Sequence, residues 1–180
     1  MLFGNKDIYA IEVYHQPLDN DSFYMTGRMC IHLYNKMFGN IDDWYCHLYV
    51  TYAALLSKIE CLNELEHNFN LDNDGDIFNF LDELLYIGDD DRTLEQIKTD
   101  WEQYGNFDFM TNAGEMFDRT KSFIYMDSHK KIHILYQEHT YNEEIKDFID
   151  GEIICTELDK ETFESVTNAF IKWYEENRNK

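Results

Sequence analysis

Residues 70–81 read NLDNDGDIFNFL. Whether this acidic run starts a helix or wraps a cation decides what the middle of the chain is: a helical layer or a metal-binding module. With Gly75 set on the turn glycine of an EF-hand loop, Asn70, Asp72 and Asp74 take the first, third and fifth ligand positions, and Ile77 the apolar eighth. The same alignment puts Phe78 ninth and Leu81 twelfth, where a bidentate Glu is needed. Glu83 comes two residues too late, and a dockerin-like spacing fails because Asn79 and Asp82 are each displaced by one. A helix start needs no missing component. Asp72, Asp74 and Asp76 precede the apolar stripe Ile77, Phe80, Leu81, Leu84 and Leu85, and carboxylates there meet unpaired backbone N–H groups and the positive end of the helix dipole. The stretch reads as a helix N-terminus, with no metal.

Working outward, Leu48, Tyr52, Leu55, Leu56, Ile59, Leu62 and Leu65 recur at helical spacing, with Lys58, Glu60, Glu64 and His67 on the outer face. Thr93 and Gln96 form a capping box before a third helix carrying Leu94, Ile97 and Trp101, and Gly105 is placed to stop it. The flanks are β. Tyr9, Ile11 and Val13 share one face of a strand; residues 16–21 are turn chemistry; and SFYMTGRMCIHLYN (22–35) alternates as a long strand in which Gly27 marks a bulge. Residues 122–138 read strand, polar turn, strand, and residues 151–158 form another strand. Asp159 caps a closing helix bearing Phe163, Val166, Phe170, Trp173 and Tyr174. Clustered rather than alternating helices predict α+β: a single domain over residues 1–180, a mostly antiparallel sheet, a cluster of helices packed on one face, and a C-terminal helix.

Charge and motifs bound the function. A formal net charge of −21, from 36 acids against 15 bases, leaves no basic footprint for nucleic acid and would be repelled by an anionic membrane. The natural partner of such a field is a cationic protein surface. Cys30, Cys46, Cys61 and Cys155 form no CxxC pair, so buried reduced thiols are expected rather than zinc or redox chemistry. The opening MLFGNKDIYAIE has no basic segment followed by an apolar run, and the apolar stretch 44–57 is too short to span a bilayer. No hydrolase, zinc-protease or nucleotide-binding motif occurs. His129 and His133 are four apart but flank a predicted turn, the wrong geometry for a helical metal pair. A non-enzymatic binding protein without cofactor is expected; a small acidic hydrolase or a calcium module with a non-standard site is the alternative.

Two stretches, MLFGNKD followed by Tyr9-Ala10-Ile11-Glu12, and Gly27-Arg28-Met29-Cys30 followed by Gly39-Asn40-Ile41-Asp42, resemble immunity protein family forty-two of bacterial polymorphic toxin systems. Phe117-Asp118 and Phe163-Glu164-Ser165-Val166 fit the same resemblance more loosely. Met29 stands where the family usually has an aromatic residue, and Asn40 where it has an acid. The resemblance implies a cytoplasmic protein that binds and neutralises the C-terminal domain of a cognate toxin. It carries no established site residues; Ala10, Gly27 and Cys30 read as fold determinants, with Arg28 pairing Glu12 across the hairpin. For the contact surface the sequence offers its own signal: from residue 59 to 91 there is no Lys or Arg among many acids. Asp74, Asp76, Asp82, Asp89, Asp90 and Asp91 are the candidates for meeting a basic toxin surface.

Overall fold

The alternation at Tyr9, Ile11 and Val13 becomes a strand because one row of side chains can be buried while the next faces out. In the structure, a computed structural model that describes residues 1–15, 25–42, 46–86 and 91–178, this row is fully buried. It belongs to β2 (Tyr9–His15), which pairs antiparallel with β1 (Leu2–Asn5) on one side and β3 (Thr26–Leu33) on the other. β4 (Lys36–Phe38) and β5 (Cys46–His47) pair with opposite ends of β3 and complete a five-stranded sheet. The predicted turn at 16–21 and the start of the long strand at 22–24 lie outside the described residues. Gly27 makes no bulge, since the β2–β3 register runs unbroken from Tyr9↔Leu33 to His15↔Gly27. It is needed for close approach: a Cβ there would sit 2.5 Å from the Tyr14 carbonyl oxygen and 3.0 Å from Leu48.

The last third builds a second, four-stranded antiparallel sheet from β6 (Thr120–Met126), β7 (Lys131–Asn142), β8 (Asp147–Asp150) and β9 (Ile154–Asp159). Two sheets, not one, therefore form the α+β scaffold, because the helical middle of the chain interrupts the ladder. They meet across Phe38, whose ring lies 4.8 Å from that of Tyr136 and 5.3 Å from that of Phe117. Gly39, at φ +89°, turns the chain beside Phe117 where any side chain would collide with the ring.

α1 (Leu48–Glu60) ends earlier than the apolar stripe does; Leu62–Leu65 continues as a 3-10 turn. Lys58 is buried rather than on the outer face, and its ammonium donates to the Asn106 carbonyl at 2.9 Å. Desolvation lowers its pKa, an effect opposed by charges including that of Asp108. α2 runs Asp74–Leu85 and buries Ile77, Phe78, Leu81 and Leu85, with Phe78 edge-on to Phe123 of β6. Its cap is Asn73, which accepts from the Asp76 N–H at 3.0 Å. α3 (Leu94–Tyr104) carries the predicted capping box, but it buries no residue at all: Leu94 is 86% exposed. It stops by tightening into a 3-10 turn at Gly105–Phe107 with Gly105 in right-handed conformation, the Trp101 ring filling the space a side chain would need. α4 (Lys160–Asn177) packs against β1 and β2 of one sheet, β7 and β9 of the other, and α1. Asp159 precedes it without capping it, because its carboxylate binds the Lys131 ammonium at 2.8 Å instead. Among the described residues no helix is long and apolar enough to cross a membrane.

Candidate interaction surface

The predicted acidic positions fall into two groups. Asp74 and Asp82 are half-buried and engaged: Asp74 accepts from the Tyr125 hydroxyl at 2.9 Å, and Asp82 pairs with Lys121 of β6 at 2.5 Å. Both join α2 to the sheet beneath it. Asp76 and Asp91 are exposed, although Asp76 also accepts from the Asn73 side-chain amide. Asp89 and Asp90 lie outside the described residues. Around Asp91, Arg92 is drawn inward onto the Leu84 carbonyl and Asp100, while Glu95, Glu102 and Leu94 face out and Trp101 is 40% exposed. Along α3, Glu95 and Glu102 accompany the part-exposed Trp101, with Lys98 pairing Glu102 at 3.5 Å; a charged rim around an aromatic supplies both steering and contact area.

A second surface has no counterpart in the sequence reading. β7 pairs with β6 over Ile132–Glu138 and with β9 over Lys131–Tyr136. Beyond that, its last residues pair with β8 alone, from His139↔Asp150 to Asn142↔Asp147. This makes a two-stranded arm. A β-hairpin on its own is marginal in water, so its base is clamped: the His139 N–H donates to the Arg119 carbonyl, the Gly151 N–H to the Glu138 carbonyl, and the His139 ring meets Asp150 at 2.7 Å. Tyr141 and Phe148 are register partners with rings 5.3 Å apart, yet Tyr141, Ile145, Phe148 and Ile149 are all 40% exposed or more. Four carboxylates (Glu143, Glu144, Asp147 and Asp150) surround them against the single Lys146. A cleft of about 270 Å³, bordered by Met37, Asn40, Arg119, His139 and Thr140, lies at the base of the arm. Apolar groups ringed by charge and left uncovered are what a protein contact uses. The sequence signal was present in the apolar residues at 141, 145, 148 and 149, but their spacing (i, i+4, i+7, i+8) is that of a helix stripe rather than of a strand face, so it does not announce a hairpin.

The polar face of the first sheet is internally satisfied. Glu12 takes a hydrogen bond from Lys6, meets the His32 ring nitrogen at 2.8 Å and accepts from Tyr14 at 3.0 Å. Arg28 does not reach it and lies instead over the Tyr14 ring, 6.0 Å from the centroid. The Lys6 hydrogen bond, followed by His32 and Tyr14 and opposed by partial burial, holds the Glu12 carboxyl down at about 2. A carboxyl depressed in the folded state stabilises above its unfolded pKa, here near 4.5, and loses that contribution as pH falls toward 2. Thermal melts of wild type and Glu12→Gln should therefore differ most near neutral pH, and the gap should close progressively on acidification below pH 4.5.

The family profile for immunity protein 42 matches residues 1–173. No curated protein sequence matches the chain. Among solved structures, that of CdiI from Burkholderia dolosa superposes with a TM-score of 0.59 at 15% identity, covering 96% of this chain and 99% of that one. At that identity the likeness concerns the fold.

Proposed function

The chain belongs to the immunity protein 42 family and is an immunity protein against a toxin; from that premise we propose that it neutralises the C-terminal domain of its cognate toxin by forming a tight, stoichiometric complex. The observation that carries the reading is the match over nearly the whole chain. Surface chemistry supports the finer part. A net charge of −21 would accelerate encounter with a cationic domain, and nuclease domains carry cationic surfaces because their substrate is a polyanion. Carboxylates of the acidic middle set the rate and the choice of partner, with the exposed Asp76 and Asp91, the partly engaged Asp74 and Asp82, and Asp89 and Asp90 as the positions to test; exposed apolar residues set how long the complex lasts. The complex would form in the cytoplasm, where a toxin domain entering the cell finds its target.

The direct experiment mixes the purified chain with the toxin domain encoded beside its gene, measures stoichiometry by calorimetry, and asks whether co-expression rescues cells from that domain. Failure to bind and to rescue, or turnover of a small molecule by the isolated chain, would refute the reading. Within the complex, replacing Asp89, Asp90 and Asp91 together by Asn should slow association several-fold at low salt and flatten its dependence on ionic strength, leaving dissociation nearly unchanged. Stopped-flow kinetics at two salt concentrations read this out, and unchanged association at low salt would remove that segment from the steering surface.

A further inference from the structure

Two clusters among the described residues bring three metal-type donors within 4.8 Å of one another: Glu12, Cys30 and His32, and Asp74, His133 and Cys155. The first is already neutralised, because the Lys6 ammonium occupies Glu12. Among the described residues no cation occupies the carboxylate of the second. Its members come from three separate elements, the first turn of α2, β7 and β9.

The surroundings hold each donor in place. Tyr125, directly across the β6–β7 ladder from His133, stacks on its ring at 4.5 Å and 8° and fixes the ring plane. The Tyr125 hydroxyl donates to one Asp74 oxygen. His133 Nε2 faces the Asp127 carboxylate at 3.4 Å, and Asp127 is itself positioned by the backbone N–H groups of His129 and Lys131. A proton on Nε2 directed at Asp127 leaves the Nδ1 lone pair facing Cys155 Sγ, 4.0 Å away. This is the carboxylate–histidine arrangement that fixes tautomer and basicity in metal sites. Tetrahedral zinc with ordinary bond lengths would separate S and N by about 3.6 Å, so a small side-chain adjustment closes the set. Cys155 is exposed enough to give an ion a path from solvent.

We propose that Asp74, His133 and Cys155 bind a zinc-class divalent ion that ties the start of α2 to the second sheet, with a fourth position open to water. A thiolate, an imidazole and one carboxylate suit zinc and disfavour the hard, oxygen-seeking calcium that the same acidic stretch suggests on paper. Without metal, burial and the hydrogen bond to Asp74 push the Cys155 thiol pKa up and keep it protonated; binding releases that proton. This site does not depend on the identity of the toxin.

The test uses tag-free, chelator-treated protein titrated with cobalt(II), whose absorption reports thiolate ligation. A thiolate-to-cobalt charge-transfer band and strong visible d–d absorption should saturate at equimolar metal, vanish in Cys155→Ser, and persist in Cys61→Ser. Asp127→Asn should keep the band but weaken zinc about 10- to 100-fold in competition with a chromogenic chelator. No charge-transfer band at equimolar cobalt, or a band that survives Cys155→Ser or is lost in Cys61→Ser, overturns the site.

Discussion

Truncating Phe38 to Ala should cost about 3–5 kcal/mol of folding stability, more than any surface change. Its ring is fully buried where the two sheets meet, against Phe109, Phe117 and Tyr136. Removing it opens a cavity lined by three flat rings that cannot all collapse inward, so the lost transfer energy and the void add. For a chain of this size the melting temperature should fall on the order of 10 °C. Met37, its neighbour on the opposite face of β4, is 45% exposed; Met37→Ala should change stability by no more than about 0.5 kcal/mol. Chemical denaturation of the two variants side by side checks this. Similar small losses in both would mean that the sheets do not share one core.

The largest functional effect is expected at the arm. Ile145→Ala together with Phe148→Ala should weaken the toxin complex on the order of a hundredfold, mostly through faster dissociation. Both side chains are more than half exposed, so the free protein should melt at an unchanged temperature. Alanine is the right replacement because an added carboxylate would alter steering at the same time. Surface plasmon resonance on both proteins separates the rates. Unchanged dissociation would place the arm outside the interface while leaving the immunity function intact.

Local chemistry explains what the sequence revealed. The strand rows at Tyr9–Val13 and Ile132–Ile134, the capping box at Thr93, and the acidic entry to α2 each depend on residues within a few positions, and each forms where expected. Long-range partners explain the rest. Lys58 reads as an outward lysine until the Asn106 carbonyl, 48 residues away in sequence, arrives to receive it. Asp159 reads as a cap until Lys131 takes its carboxylate. The split into two sheets depends on where the helical middle packs, which periodicity does not encode. For the contact surface, the absence of bases from 59 to 91 was visible, but not that Tyr125 and Lys121 would engage Asp74 and Asp82. Nor could composition separate Asp74 as part of an acidic face from Asp74 as one corner of a donor set with residues far along the chain.

The closing helix completes the opening strand: Phe3 packs its ring 6.0 Å from Phe170 and 5.8 Å from Trp173. On a ribosome adding about 5–20 residues per second, those partners emerge roughly 10 to 35 s after Phe3 does. Until then the first sheet lacks its cover, and a nascent chain offers no finished surface to an incoming toxin. Protection must therefore come from a standing stock of completed molecules, because synthesis begun on attack would deliver it late.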